Sequence, residues 1–206
     1  MRRDNILSAA FMVFTEKGFE ASTTLEIVRR ARTSKRALYE TFASKEEILV
    51  ALIAGGAQRM KVSPDLPPPG SRAEFLASLR GFGETFLNVY LHPHRMALYR
   101  LAITEAGRGG GTVARELEAG GRLPVVNSVS RYFGKAAKQG LLARDEVGRL
   151  THIFFSVLIG SSPLQLLMGT EPPITADSVK AKSTAAVSVI ERLIGDRLSP
   201  RTSARR

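Results

Sequence analysis

The chain has 206 residues, a formal net charge of +11 and no cysteine. That length accommodates one helical domain, or a small domain joined to a larger one, with a real core. Disulfides, thiolate metal sites and cysteine nucleophiles are excluded, which fits a reducing cytosol, and the basic balance favours nucleic acid or an anionic membrane surface as partner.

Met1-Arg2-Arg3 leads into Asp4, Asn5 and an amphipathic pattern, so no signal peptide is expected. Ile6, Leu7, Ala10, Phe11 and Phe14 recur at helical spacing and predict a helix over 5–17, stopped by Gly18 with Phe19 packing back. Thr23 to Glu26 reads as a capping box opening a second helix to about Ala31, with Ile27 and Val28 inward. Ser34 caps a third helix through Phe42. Ser44 to Glu47 is a second capping box, starting a fourth helix that buries Ile48, Leu49, Leu52 and Ile53. Pro64 to Gly70 cannot be helical and marks a boundary.

Beyond it the spacing predicts helices over 72–91, 94–106, 113–138 (split or kinked by Pro124), 144–168 and 175–197. The breaks fall at His92-Pro93, Gly107 to Gly111, Gly140 and Pro172-Pro173. The apolar run 153–168 is shorter than a membrane span and carries Pro163 and Gln165, so it reads as a buried helix of a soluble chain. No run alternates long enough for a strand. The expectation is an all-α chain: a first helical domain at 1–50, a larger helical domain at 51–198, and a basic, disordered tail at 199–206.

The stretch TSKRALYETF, 33–42, carries the functional signal. On a helical projection Lys35, Arg36, Tyr39 and Glu40 share one arc, while Ala37, Leu38, Thr41 and Phe42 share the other. The second arc suits a core. The first puts two cations and a phenol at a helix start, which is how a recognition helix is loaded for the major groove. Lys or Arg there can donate to guanine O6 and N7, and Tyr39 can donate to a phosphate or pack on a thymine methyl. The helix starts at Thr23, Thr24 and Lys45 present free N–H groups to an anion, so Thr24, Tyr39, Thr41 and Lys45 form an expected phosphate clamp. The short turn at Thr33 and Ser34 fits a helix-turn-helix. A basic doublet alone is usually a solvated face; it is the combination within 30 residues that is specific.

These residues resemble the N-terminal domain of the tetracycline-repressor (TetR) family of bacterial transcription regulators. The pattern is carried by Phe14 to Phe19, Ser22 to Ile27 and Ser34 to Leu49. The resemblance implies a recognition helix at 33–42, with Lys35 and Arg36 reading bases and Thr24, Tyr39, Thr41 and Lys45 holding phosphates. It departs at the turn, where the family commonly has glycine and this chain has Arg32: either a positive φ falls on a side chain that tolerates it poorly, or Arg32 adds a contact to the DNA backbone.

The remainder is similar, more loosely, to the ligand-binding half of AefR- or AcrR-like members, through RLAITEA at 100–106 and QGLLA at 139–143. That similarity implies a homodimer joined by the last long helices, with Leu158, Gly160, Ala186, Val189, Ile190 and Leu193 as interface candidates. It implies an effector cavity for an apolar or aromatic small molecule. The candidate lining is Phe82, Phe86, Tyr90, Met96, Tyr99, Ile103, Phe133 and Phe155, with Arg100 and Glu105 as polar handles. The implied activity is a cytoplasmic repressor on a palindromic operator, released by population shift when the effector favours a splayed dimer. No cofactor or metal is implied.

Two rival readings stand beside it: a non-specific basic nucleic-acid binder, and a dimeric regulator without an effector. An enzyme is disfavoured. His92, His94 and His152 lack a metal-ligand spacing, with His92-Pro93-His94 reading as a loop, and Ser161 and Ser162 lie in no nucleophile elbow. The glycines at 107–111 lack the Lys-Ser/Thr of a phosphate loop.

Overall fold

The structure, a computed structural model, describes residues 2–58, 66–106, 115 and 123–198. Within these the chain is all-α: α1 (Arg2–Lys17), α2 (Thr24–Arg30), α3 (Lys35–Thr41), α4 (Lys45–Gln58), α5 (Arg72–Tyr90), α6 (Pro93–Ala106), α7 (Leu123–Lys138), α8 (Val147–Ile159), α9 (Ser162–Met168) and α10 (Ala176–Leu198), with a 3-10 turn at Arg144–Glu146 before α8. The expected tail at 199–206 and the glycine break at 107–111 lie outside the described residues, as does the side chain of Glu105.

Two compact units are present, Met1–Lys61 with Pro93–Leu123, and Val62–His92 with Pro124–Arg206. In the first, α1 to α4 close around Ile6, Ala10, Phe14, Ile27, Leu38, Phe42, Ile48 and Leu49. Leu98, Leu101 and Ala102 of α6 join the same core, so this unit is not one continuous stretch of chain. Phe19 packs edge-on against Phe14 with centroids 5.2 Å apart, and Gly18 adopts φ 80 to turn the chain back. Arg3 lies over the Phe42 ring, 5.2 Å from its centroid.

In the second unit α5 and α8 pack on α10. The α5–α10 approach is close because Gly83 has no side chain: a Cβ there would meet Ser183 Oγ at 2.5 Å. Buried Ser183 donates to the Arg80 carbonyl at 2.7 Å. Phe75, Phe82, Phe86, Phe133, Phe154 and Phe155 are all buried and stack or meet edge to face.

Two expectations are corrected. The single helix at 144–168 breaks at Gly160, whose φ of 53 ends α8, and Pro163 sits in the first turn of α9, where its missing N–H costs nothing. That segment has the length and hydropathy of a membrane span, but its helices are 13 and 7 residues long, and Leu150, Phe154, Phe155 and Leu158 are buried. Pro124 is the second residue of α7, in keeping with a split of the 113–138 region there, and residues 116–122 ahead of it lie outside the described residues. His92-Pro93-His94 is not a loop throughout, because Pro93 opens α6 and His94 stacks on Phe11 with ring centroids 3.6 Å apart.

Candidate nucleic-acid interface

The helix-turn-helix is built from local capping. Thr23 extends at φ −116 and its Oγ1 accepts the Glu26 N–H at 3.3 Å, while the Glu26 carboxylate accepts the Thr23 N–H at 3.0 Å. Lys17 bonds the same carboxylate. The Lys17 ammonium, the Thr23 N–H and the Thr23 hydroxyl together hold the Glu26 carboxyl down at about 2, against an ordinary 4.5. The helix is closed at its other end by two bonds, Arg32 N–H to the Arg29 carbonyl at 3.3 Å and Thr33 N–H to the Val28 carbonyl at 3.1 Å. This is a Schellman closure, and it puts Arg32 at φ 50. Ser34 then caps α3, its Oγ accepting the Ala37 N–H at 3.1 Å.

The two arcs of α3 fall where its periodicity puts them. Ala37, Leu38 and Phe42 are buried, and Lys35, Arg36, Tyr39 and Glu40 are exposed. Arg36 Nε donates to Glu40 Oε1 at 2.8 Å. That pair is 89% and 52% exposed and contributes only about 0.3–0.5 kcal/mol, less than one good base contact. Arg36 is therefore cheaply recruited. Tyr39 Oη and Thr24 Oγ1 stand 3.3 Å apart, so the starts of α2 and α3 bring two hydroxyls to one exposed place.

Three more residues of the expected DNA-binding set are engaged within the chain. Thr23 spends its hydroxyl proton on Glu26 Oε2 at 3.0 Å, and the anion at that helix start is the chain's own carboxylate. Thr41 donates back to the Ala37 carbonyl at 2.8 Å. Lys45 donates to the carbonyls of Phe19 at 2.8 Å, Ser22 at 3.0 Å and Glu20 at 3.4 Å, and lies 4.3 Å from the Phe19 ring centroid. An ammonium has three donors, and all three face the loop ahead of α2. Ser22, which the sequence placed in the family pattern without a role, is buried and ties the same loop to the carbonyls of Gly18 at 2.5 Å and Val13 at 3.2 Å. The loop that delivers Thr24 is thus held from two sides. The signals for Ser22 were its place in that pattern and between the Gly18 stop and the Thr23 cap.

The effector candidates divide between the units. Phe82, Phe86, Phe133 and Phe155 are buried in the second unit, with Tyr90 half-buried and stacked on Phe86. Met96, Tyr99, Arg100 and Ile103 belong to the first. Ile103 is 61% exposed and Arg100 is exposed, so neither lines an interior. A concavity of about 260 Å³ lies elsewhere in the second unit, bordered by Ser162, Leu166, Pro172, Ile174 and Lys182. Of the interface candidates, Leu158, Ala186 and Ile190 are core within one chain and offer no surface; Val189 and Leu193 are half-buried and Gly160 is exposed. Sequence reasoning missed Leu164 and Met168 on α9, which are 60% and 67% exposed.

Residues 6–52 match the sequence model for bacterial regulatory proteins of the tetR family, and residues 77–193 match the C-terminal domain of AefR-like transcriptional repressors. Over 48 residues the chain is 42% identical to the HTH-type transcriptional regulator HbdR of Aromatoleum sp. strain CIB, covering 23% of this chain and 21% of that protein. Over 107 residues it is 31% identical to the HTH-type transcriptional repressor AcnR of Corynebacterium diphtheriae, covering 51% and 50%. The chain thus matches half or less of the length of these curated relatives. Among solved structures it is similar to a TetR regulator of Agrobacterium tumefaciens, with TM-score 0.80, 23% identity and 96% and 98% of the two chains covered. It is similar also to the flavonoid-responsive regulator FrrA, with TM-score 0.73, 26% identity and 93% and 96% covered.

Proposed function

This chain belongs to the tetR family of bacterial regulatory proteins, DNA-binding transcriptional regulators that are not enzymes, and we propose that it acts in the cytoplasm as a repressor. In this reading a homodimer binds a palindromic operator and leaves it when a small apolar or aromatic effector binds. The observation that carries the reading is the exposed face of α3, where Lys35, Arg36 and Tyr39 stand clear of the core beside Thr24. Lys35 and Arg36 read bases, and Thr24 and Tyr39 hold a phosphate.

The dimer follows from the need to read two half-sites about one helical turn apart. Leu164 and Met168 of α9 are the exposed apolar surface that supports it, and Val189 and Leu193 of α10 are half-buried. The aromatic residues of the second unit support an aromatic effector, as does the likeness to a regulator whose name records a response to flavonoids. A second reading, a dimeric regulator without an effector, is favoured by the mutual packing of those rings at centroid distances of 4.9–6.3 Å.

Selection of bound duplexes from a random pool, with excess competitor at physiological salt, tests the reading. A recovered palindrome is the expected result. Salt-sensitive binding with no motif would replace it with non-specific nucleic-acid binding.

A further inference from the structure

We propose that Arg32 is a further DNA-binding residue, holding a backbone phosphate from the turn ahead of α3. The inference rests on the reading of α3 as the recognition helix and names a contact outside it.

Three helices end in the same two-bond closure. At α7 it is Gly140 N–H to the Ala137 carbonyl and Leu141 N–H to the Ala136 carbonyl, both at 3.1 Å. At α9 it is Gly169 N–H to the Leu166 carbonyl at 3.3 Å and Thr170 N–H to the Gln165 carbonyl at 3.0 Å. The residue turned left-handed is glycine in both, at φ 74 and 71. At α2 it is Arg32, at φ 50, the positive-φ residue other than glycine among the described residues. A side chain in that conformation is strained, and the chain meets the same geometric need with glycine at the other two ends. Such strain persists where the side chain serves a purpose.

The surroundings say what purpose. Arg32 is exposed, and its own N–H is consumed by the closure, so the guanidinium is what it offers. Two of the nearby arginines are tied to carboxylates, Arg30 to Glu16 at 2.7 Å and Arg36 to Glu40 at 2.8 Å. Among the described residues no carboxylate is paired with Arg32. The turn ahead of a helix whose first residues enter the major groove lies at the level of the flanking backbone, and a guanidinium fork matches a phosphate there.

The test measures affinity against salt for the palindrome that the wild type selects, using Arg32→Asn, Arg32→Gly and Arg32→Lys. Asparagine and glycine tolerate the left-handed turn but carry no charge. Both are expected to flatten the slope of log affinity against log salt by about 2 for the dimer, one phosphate per protomer, with the selected motif unchanged. Lysine keeps the slope. Glycine raises the thermal midpoint while weakening binding, which a purely structural role would not do. An unchanged slope in Arg32→Asn overturns the proposal, and so does a changed base preference, which would make Arg32 a base reader. If the wild type selects no palindrome, the recognition-helix reading fails first and this inference falls with it.

Discussion

Replacing Lys45 by methionine separates two roles for one cation. In the structure its ammonium donates to the partly buried carbonyls of Phe19 and Ser22, and lies over the Phe19 ring. The 3.4 Å contact to Glu20 is exposed and counts for little. A charge-assisted hydrogen bond contributes about 1.5–3 kcal/mol when protected, and about 1 kcal/mol each is reasonable at this partial exposure. The cation over the ring adds about 0.5 kcal/mol. Methionine keeps the aliphatic stem and a sulfur–ring contact, so the loss is confined to the donors. Lys45→Met should therefore cost about 2 kcal/mol, or about 4–8 °C in thermal midpoint for a chain this size. Urea unfolding followed by circular dichroism reads it directly. On DNA the variant should bind more weakly but keep the wild-type salt slope, because the lysine acts through the loop that carries Thr24. A stability loss under about 0.5 kcal/mol with a slope flattened by about 2 would refute this, and would make Lys45 a direct phosphate contact.

Lys35→Ala or Arg36→Ala should each cost about 1–3 kcal/mol of binding and relax specificity at one position per half-site, read by repeating the selection with each variant. Gly83→Ala should destabilise by about 1–3 kcal/mol, because the new Cβ meets Ser183 Oγ at 2.5 Å and Leu158 at 3.1 Å in a close-packed core; chemical denaturation measures it, and a neutral result would show that α5 and α10 separate easily. Glu26 has a lowered carboxyl, so its contribution is complete above about 4.5 and is lost as pH falls through about 2; the midpoint gap between wild type and Glu26→Gln should close over that window. Leu164→Glu with Met168→Glu should shift the chain from dimer to monomer in sedimentation with its helicity intact; a dimer that survives would put the interface elsewhere.

What was legible in the sequence and what was not follows from the range of the forces involved. Capping and helical period are local, so Gly18, the Thr23–Glu26 box, the Ser34 cap and the two arcs of α3 could all be read residue by residue. The strained turn at Arg32 was legible for the same reason, since a short closure between two helices demands a positive φ whatever stands there. Lys45 was not legible. Its three carbonyls lie 23 to 26 residues away, and no spacing rule distinguishes a cation aimed at solvent from one folded onto a distant loop. The placement of Leu98, Leu101 and Ala102 in the first core fails in the same way, because contact across a chain segment of 40 residues or more is set by topology. The interface candidates expose a deeper ambiguity. A helix packed inside a chain and a helix packed against a second copy bury the same kinds of residue at the same period. Leu158, Ala186 and Ile190 satisfy that pattern as core, and only their burial in the folded chain takes them out of contention. Leu164 and Met168 carry the same apolar chemistry but stay exposed, because the break at Gly160 turns α9 out of the register of α8. A surface that remains apolar after the chain has finished folding is the signal of a partner, and it appears only once the core has been assigned.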